Sequence, residues 1–159
     1  MAYKLNIGDK MPSFKAKDHT GHVFLSDDLL GGPVVIYFYP KDNTPGCTKE
    51  ACSFRDHIDH FDELDAILIG ISPDSSESHD QFIEKNVLNF TLLSDESLEV
   101  SRKFDVIREK RQVEKEVQSF ERTTFVIDAI GTIRWIERPV QVDGHTERVL
   151  NALNEIVGQ

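Results

Sequence analysis

Apolar residues fill positions 33 to 39, and a helical pattern begins a few residues later. The run from Pro33 to Tyr39 reads PVVIYFY, rich in the β-branched and aromatic residues typical of a fully buried strand. A loop that contains Pro40, Thr44 and Pro45 ends this run. Beyond the loop, apolar residues recur at spacings of three and four, as on one stripe of a helix over residues 46–63: Ala51, Phe54, Ile58 and Phe61.

Apolar runs and helical patterns alternate along the rest of the chain. The predicted elements are a hairpin around Gly21, strand 66–72, a helix at 75–86, strand 91–93, a helix at 96–103, and strands 123–128 and 132–137. A closing helix is predicted from a one-sided apolar face formed by Val149, Leu150, Leu153, Ile156 and Val157. Because strands and helices alternate after position 33, the pattern predicts an α/β fold.

Length, composition and charge narrow the class of protein. The chain has 159 residues, 39% hydrophobic and 29% charged, which suits one compact domain over residues 1–159. No apolar run approaches the roughly 20 residues that cross a membrane. The opening MAYKLNIGDK also lacks the apolar core of a signal peptide, so we expect a cytoplasmic protein. A formal net charge of −10 argues against binding to nucleic acid or to anionic membranes.

Cys47 is the first candidate for chemistry, because it lies on the first turn of the predicted helix. A helix N-terminus carries unpaired N–H groups and a partial positive charge, which favour thiolate over thiol. Thr44, three residues earlier, offers a hydroxyl that could bond both the sulfur and an incoming oxygen atom. Pro40 and Pro45 stiffen the loop. The alternatives are a small buried cysteine at a helix start and an ordinary N-cap threonine.

A metal site is the weaker interpretation of these cysteines. Four residues make a superficial zinc-ligand set: Cys47, Cys52, His57 and His60. On one continuous helix they point in widely separated directions, whereas zinc needs ligands that converge on one tetrahedral point. The other histidines fall in polar contexts and are interpreted as surface residues: His19, His22, His79 and His145.

The loop and helix together resemble a known family. Pro40, Thr44 and Cys47 match the PxxxTxxC signature of peroxiredoxins, and YPKDNTPGCTKEACSFRD resembles the bacterioferritin comigratory protein, or PrxQ, branch. Nearly the whole chain shares the resemblance, including IGDKMPSF, LIGISPD, NFTLLSD and ERTTFVID. It implies a thioredoxin-like fold, in which a central mixed β-sheet is flanked by helices and extended by an N-terminal hairpin.

The resemblance also implies an activity and a set of site residues. Cys47 would be the peroxidatic cysteine, Thr44 and Arg122 its activating and peroxide-binding partners, and Cys52 the resolving cysteine, with Pro40 in support. The implied reaction reduces hydrogen peroxide or organic hydroperoxides through a sulfenic acid and an intramolecular disulfide, and thioredoxin or a similar thiol reductant recycles the protein. No cofactor or metal is required, and we expect a monomer.

Arg122 suits this chemistry on physical grounds. A guanidinium is a permanent cation with several donors, so it can stabilise both a thiolate and the oxygen that departs from a peroxide. Glu50, three residues after Cys47, could accept from Arg122 and hold it in place. A solvated arginine at a strand start and a surface glutamate at a helix N-terminus are the alternatives.

Cys52 lies about 140° around the predicted helix from Cys47. Ideal helical positions five apart have α-carbons separated by roughly 8 to 9 Å, whereas a disulfide rarely tolerates more than about 7 Å. A bond between these cysteines therefore requires the first turns to unwind. General disulfide exchange is disfavoured because the chain lacks CxxC. A non-catalytic redox sensor remains an alternative.

The segment that leads to Arg122 departs from the family pattern. The family commonly carries glycines and aromatics there, but IREKRQVEKEVQSFE contains no glycine and a single aromatic, Phe120. A charged hairpin and a helix both fit this composition.

Overall fold

Strands and helices alternate through the computed structural model, which describes residues 3–112 and 115–158. The strands are β1 (Lys15–Asp18), β2 (Val23–Leu25), β3 (Val34–Phe38), β4 (Ile67–Ser72), β5 (Thr91–Ser94), β6 (Ile107–Gln112), β7 (Lys115–Phe120), β8 (Thr123–Ile127) and β9 (Ile133–Glu137). The helices are α1 (Pro45–Asp56), α2 (Ile58–Glu63), α3 (Ser76–Asn86), α4 (Glu99–Lys103) and α5 (His145–Val157), with a 3-10 helix at Ser26–Leu29. The predicted α/β order is confirmed.

Seven of these strands form one mixed sheet in the order β2-β1-β5-β4-β3-β8-β9. β3 runs parallel to β4 and antiparallel to β8, and all five of its residues are buried. The continuous apolar run of β3 follows from this central place, since neither of its faces meets water. In the β3–β8 register Phe38 is opposite Thr123, which brings the end of β3 beside the start of β8.

Alternate residues of β3 enter two hydrophobic clusters, one on each face of the sheet. The first cluster holds Tyr37 and packs the sheet against α1, α2 and α5 through Phe54, Phe61, Val149 and Leu153. The second holds Ile36 and Phe38 with Phe104, Phe125 and Ile127. The layer formed by α1, α2 and α5 is thus fixed to one face of the sheet, and the loop after β3 leads directly into α1.

The predicted helix 46–63 is wrong in its continuity, because the chain forms two helices separated at His57. The backbone of His57 leaves the helical region (φ −112, ψ 11), and its N–H bonds to the Phe54 carbonyl, three residues back. The ring Nδ1 of His57 also lies 2.7 Å from the Ser53 carbonyl. The apolar spacing nevertheless holds across the break, since Phe54 and Phe61 are both buried.

The helix expected at 96–103 is shorter than predicted. Leu98 adopts a left-handed conformation (φ 65), and the Asp95 carboxylate accepts from the N–H groups of Val100 and Ser101. The Asp95 carboxylate therefore satisfies N–H groups in the first turn of a helix that begins only at Glu99, after the N-cap residue Leu98. Between β5 and β8, the hairpin β6–β7 forms, and it pairs Ile107 with Phe120.

No helix in the described ranges is long and apolar enough to cross a membrane.

Candidate active site

The loop between β3 and α1 carries the candidate cysteine into a buried position. Thr44 is the N-cap of α1 with extended backbone (φ −80, ψ 151), and Pro45 is the first helical residue, where a missing N–H costs nothing. Cys47 is the third residue of the helix and is 1% exposed. Its sulfur therefore lies in the field of the helix N-terminus and is shielded from water, two conditions under which electrostatic interactions are strong.

Arg122 reaches this sulfur from the residue that precedes β8. The antiparallel register places the start of β8 beside the end of β3, so the Arg122 side chain extends over the first turn of α1. Its Nη2 donates to Cys47 Sγ at 2.9 Å, and its Nη1 donates to Glu50 Oε1 at 3.1 Å. One guanidinium thus holds a potential thiolate with one nitrogen and a carboxylate with the other.

Gly46 provides the room for this approach. A β-carbon built at position 46 would lie 3.0 Å from Arg122 Nη2. Such a contact is tighter than most real β-carbon contacts, so an added methyl would push the guanidinium by a few tenths of an ångström from its place beside the sulfur.

The Thr44 hydroxyl donates to a backbone carbonyl and not to the sulfur of Cys47, which was the contact expected from the sequence. Its hydroxyl donates to the Lys41 carbonyl at 3.0 Å, which closes the turn before α1. The hydroxyl oxygen retains acceptor capacity at the helix N-terminus. Pro40, at the start of the same loop, is half-buried.

Cys52 lies five residues further along the same helix and is half-buried. Its Sγ contacts the Oδ1 of Asn86, at the end of α3, at 3.8 Å. Both cysteines are free thiols. Because α1 is helical throughout from Pro45 to Asp56, the two sulfur-bearing residues are held on one regular helix in this state.

Two histidines that were predicted to lie at the surface are buried, so that interpretation is wrong for them. His79 is fully buried and His145 is 1% exposed. Each lies on the apolar face of its own helix: His79 precedes Phe82 by three residues, and His145 precedes Val149 by four. The helical spacing would have placed both correctly, whereas the polarity of their sequence neighbours did not. His22, in contrast, is exposed.

His79 belongs to a buried polar network that anchors the active-site loop. Its Nδ1 lies 2.7 Å from Asp42 Oδ2, and its Nε2 lies 2.9 Å from the Leu93 carbonyl. Asp42 also accepts from the hydroxyls of Tyr39 and Ser78, at 2.7 and 2.8 Å. The chain just before Thr44 is therefore tied to α3 and β5.

A metal would find few free ligand atoms in this network. Asp42, Asp74 and His79 bring one potential ligand atom each within 4.8 Å of the others. One oxygen of Asp74 already accepts from the Asp42 N–H and the Ser72 hydroxyl, both within hydrogen-bond distance. Both oxygens of Asp42, one oxygen of Asp74 and both ring nitrogens of His79 are thus engaged in hydrogen bonds.

Tyr37 lies beneath the site, on the face of β3 that packs against α1. Burial raises the pKa of Tyr37 well above its ordinary value of 10.0, and the charges of Glu50 and Cys47 add to that rise. Its hydroxyl has no hydrogen-bond partner among the described residues and points towards Gly70, where a β-carbon would lie 2.8 Å from it.

Comparison with known proteins decides the family. The model of the AhpC/TSA family matches residues 7–136. Peroxiredoxin Bcp of Bacillus subtilis is 43% identical over 152 residues, which cover 96% of this chain and 97% of the relative. The chain is a member of the peroxiredoxin family. Peroxiredoxin Bcp of Escherichia coli K12 is 40% identical over 95% of this chain and 97% of its own length.

Solved structures of peroxiredoxins share the fold. The bacterioferritin comigratory protein of Xanthomonas campestris is 36% identical, with a TM-score of 0.88 over 98% of this chain and 99% of that one. A PrxQ variant from Xylella fastidiosa is 35% identical, with a TM-score of 0.89 over 97% and 98% of the two chains. The predicted thioredoxin-like fold is confirmed. As a peroxiredoxin, the protein is an oxidoreductase that reduces peroxides with thiols.

Proposed function

We propose that Cys47 is the peroxidatic cysteine of this peroxiredoxin and that Cys52 resolves its oxidised form. The contact of 2.9 Å between Arg122 Nη2 and Cys47 Sγ, on the first turn of α1, carries the proposal. A guanidinium and a helix N-terminus together stabilise a thiolate, and the thiolate is the nucleophile that attacks a peroxide.

The first step forms a sulfenic acid. The Cys47 thiolate attacks the terminal oxygen of the peroxide, the S–O bond forms, and the O–O bond breaks. The second oxygen leaves as hydroxide or alkoxide and takes a proton from solvent to give water or an alcohol. The Arg122 donors stabilise the charge that grows on this leaving oxygen, while the Thr44 oxygen accepts from the O–H of the bound peroxide. Pro40 supports the loop that holds Thr44.

The second step forms a disulfide. The Cys52 sulfur attacks the sulfenic sulfur, and water leaves. Since a disulfide rarely tolerates more than about 7 Å between α-carbons, the first turns of α1 must unwind, and the contact of Cys52 with Asn86 must break. A dithiol reductant such as thioredoxin then supplies two electrons and returns both cysteines to thiols.

We propose that both hydrogen peroxide and organic hydroperoxides are substrates. We also propose that the chain acts as a monomer. Alkyl peroxide reduction activity is attributed to the Xanthomonas campestris relative. For an organic hydroperoxide, the alkyl group departs with the leaving oxygen and plays no part in the attack of the thiolate, so the same donors serve both substrates.

Peroxide consumption by purified protein, with thioredoxin, its reductase and NADPH, tests the proposal. Wild type should consume excess peroxide continuously, Cys47→Ser should consume none, and Cys52→Ser should complete one turnover and then stop. Full cycling by Cys47→Ser would contradict the assignment of the nucleophile. A wild type that reacts once and never turns over with any thiol reductant would favour a redox sensor instead.

A further inference from the structure

His145 is a buried titratable residue to which the proposed mechanism gives no role. It is the first residue of α5, and its ring packs edge-on against Phe54 of α1, with ring centroids 5.4 Å apart. Its Nδ1 lies 3.2 Å from Glu50 Oε2, and the exposed fraction of each side chain is 1%. Glu50 is thus enclosed between Arg122 on one side and His145 on the other.

Glu50 and His145 both carry buried polar atoms that have no hydrogen-bond partner among the described residues. Glu50 Oε1 accepts from Arg122, but Glu50 Oε2 has no aligned donor among the described residues. Both ring nitrogens of His145 likewise have no hydrogen-bond partner among these residues. A buried carboxylate oxygen without a donor is costly. The polar atom brought near it is His145 Nδ1, and a small rotation of the ring turns the distance of 3.2 Å into a hydrogen bond.

We propose that His145 is a positioning residue for the peroxidatic centre. Its Nδ1–H donates to Glu50 Oε2 and fixes the carboxylate, so Glu50 Oε1 holds Arg122 Nη1 in one place. The other nitrogen of the guanidinium is then directed at Cys47. This inference rests on the proposed function, and it extends the site to the start of α5.

A purely structural role for His145 would be to dock α5 onto α1. The structure offers a separate docking contact one residue away, where Thr146 Oγ1 lies 2.7 Å from Ser53 Oγ. This hydroxyl pair joins the same two helices and makes no contact with Glu50. Thr146→Val therefore serves as a matched control, because it weakens the helix contact and leaves the Glu50 carboxylate untouched.

Replacing His145 with residues of similar size isolates the donor. Asn and Leu have nearly the same shape, and both lose the ring that packs on Phe54, but only Asn keeps an N–H close to the place of Nδ1. The rate of a single turnover with hydrogen peroxide is measured by stopped flow on reduced protein. We expect His145→Leu to react about three- to tenfold more slowly than His145→Asn, which is only part of the effect of a hydrogen bond to a charged group, because His145 acts on the sulfur through Glu50 and Arg122. Thr146→Val should react at the wild-type rate.

A double-mutant cycle with Glu50→Gln adds a measurement that a role in helix docking alone would not affect. In that background His145→Leu should cause no further loss of rate, since the carboxylate it acts through is gone. Independent, multiplying losses would overturn the proposal, as would equal rates for the Asn and Leu variants or equal slowing by His145→Leu and Thr146→Val. If the Leu variant does not fold, His145→Ala replaces it. A wild type that fails to react with peroxide would count against the proposed function itself.

Discussion

At the scale of single residues, the site depends on how one guanidinium divides its contacts. Arg122 donates from Nη2 to Cys47 and from Nη1 to Glu50, and Gly46 leaves the space that Nη2 needs. The charge on Arg122 and the direction of its two nitrogens therefore act together. A variant that keeps the length but loses the charge separates packing from electrostatics.

Arg122→Met should slow the reaction of Cys47 with hydrogen peroxide by about tenfold or more, because each ~1.4 kcal/mol of lost transition-state stabilisation is a factor of ten. Arg122→Lys should recover only part of the rate, since an ammonium cannot contact the sulfur and the carboxylate with a planar fork. Stopped-flow rates of the reduced proteins measure both effects. Wild-type rates in the two variants would rule out this role.

Two neighbouring tyrosines of β3 and its loop make a matched pair for stability. Tyr37 has a buried hydroxyl without a partner among the described residues, whereas the Tyr39 hydroxyl donates to Asp42 at 2.7 Å. Tyr37→Phe should raise the free energy of unfolding by about 1 kcal/mol, and Tyr39→Phe should lower it by about 1–3 kcal/mol. Urea denaturation of the reduced proteins measures both changes. Equal losses in the two variants would show that Tyr37 has a partner after all.

The local sequence pattern was sufficient to identify Cys47 as a candidate, whereas only the family resemblance pointed to Arg122 as its partner. Cys47 is recognisable because a helix start follows a buried strand, which is local information. Arg122 is 75 positions away, and its contact depends on the β3–β8 register, which no local pattern specifies. His145 was misplaced for a different reason, since its polar neighbours outweighed the helical spacing that puts it beside Val149.

At the scale of elements, α1 carries both cysteines and ends one residue before the break at His57. The apolar stripe alone predicted a single helix, because apolar residues recur at helical spacings from Phe54 across the break to Phe61, and both phenylalanines are buried. What the stripe cannot show is the side chain of His57 lying against the Ser53 carbonyl. The β6–β7 hairpin was also undetermined, since its Glu and Lys residues suit a helix equally well.

Oxidation should unwind the opening turns of α1 and leave the sheet intact. The two cysteines are five positions apart on a regular helix, beyond the reach of a disulfide. Hydrogen exchange should therefore show lower protection across residues 47–55 in the oxidised protein than in the reduced protein. Amides of β3 and β4 provide the internal control and should be protected equally in both states. Equal protection across 47–55 would refute the unwinding.

At the scale of the whole molecule, an ion pair fastens α5 to the edge of the sheet. Arg148 donates to both oxygens of Glu137, from Nε at 2.6 Å and from Nη2 at 2.9 Å. Burial works against the charged form, yet the hydrogen bonds from Arg148 and the nearby charge of His145 lower the pKa of Glu137 below its ordinary value of 4.5. The folded state therefore favours the carboxylate.

The sign of this shift gives a pH-dependent stability. A carboxyl with a lowered folded-state pKa contributes stability that is present above its ordinary value of 4.5 and is lost as the pH falls through the lowered value. At neutral pH Glu137→Gln should lower the free energy of unfolding by about 1 kcal/mol, and the difference should shrink on acidification. Denaturation curves at several pH values test this, with Glu155→Gln on exposed α5 surface as the control. A difference that stays constant into acid would contradict the assignment.

The break at His57 has a consequence for how fast the protein is ready for its next substrate. In the proposed cycle oxidation unwinds only the opening turns of α1, while α2 keeps Phe61 in the core and α5 keeps Val149 and Leu153 there. Recovery after reduction is then a coil-to-helix step within about a dozen residues, which takes on the order of a microsecond or less. Typical enzymes turn over in milliseconds or longer. The supply of reducing equivalents, and not the rebuilding of the helix, should therefore set the pace.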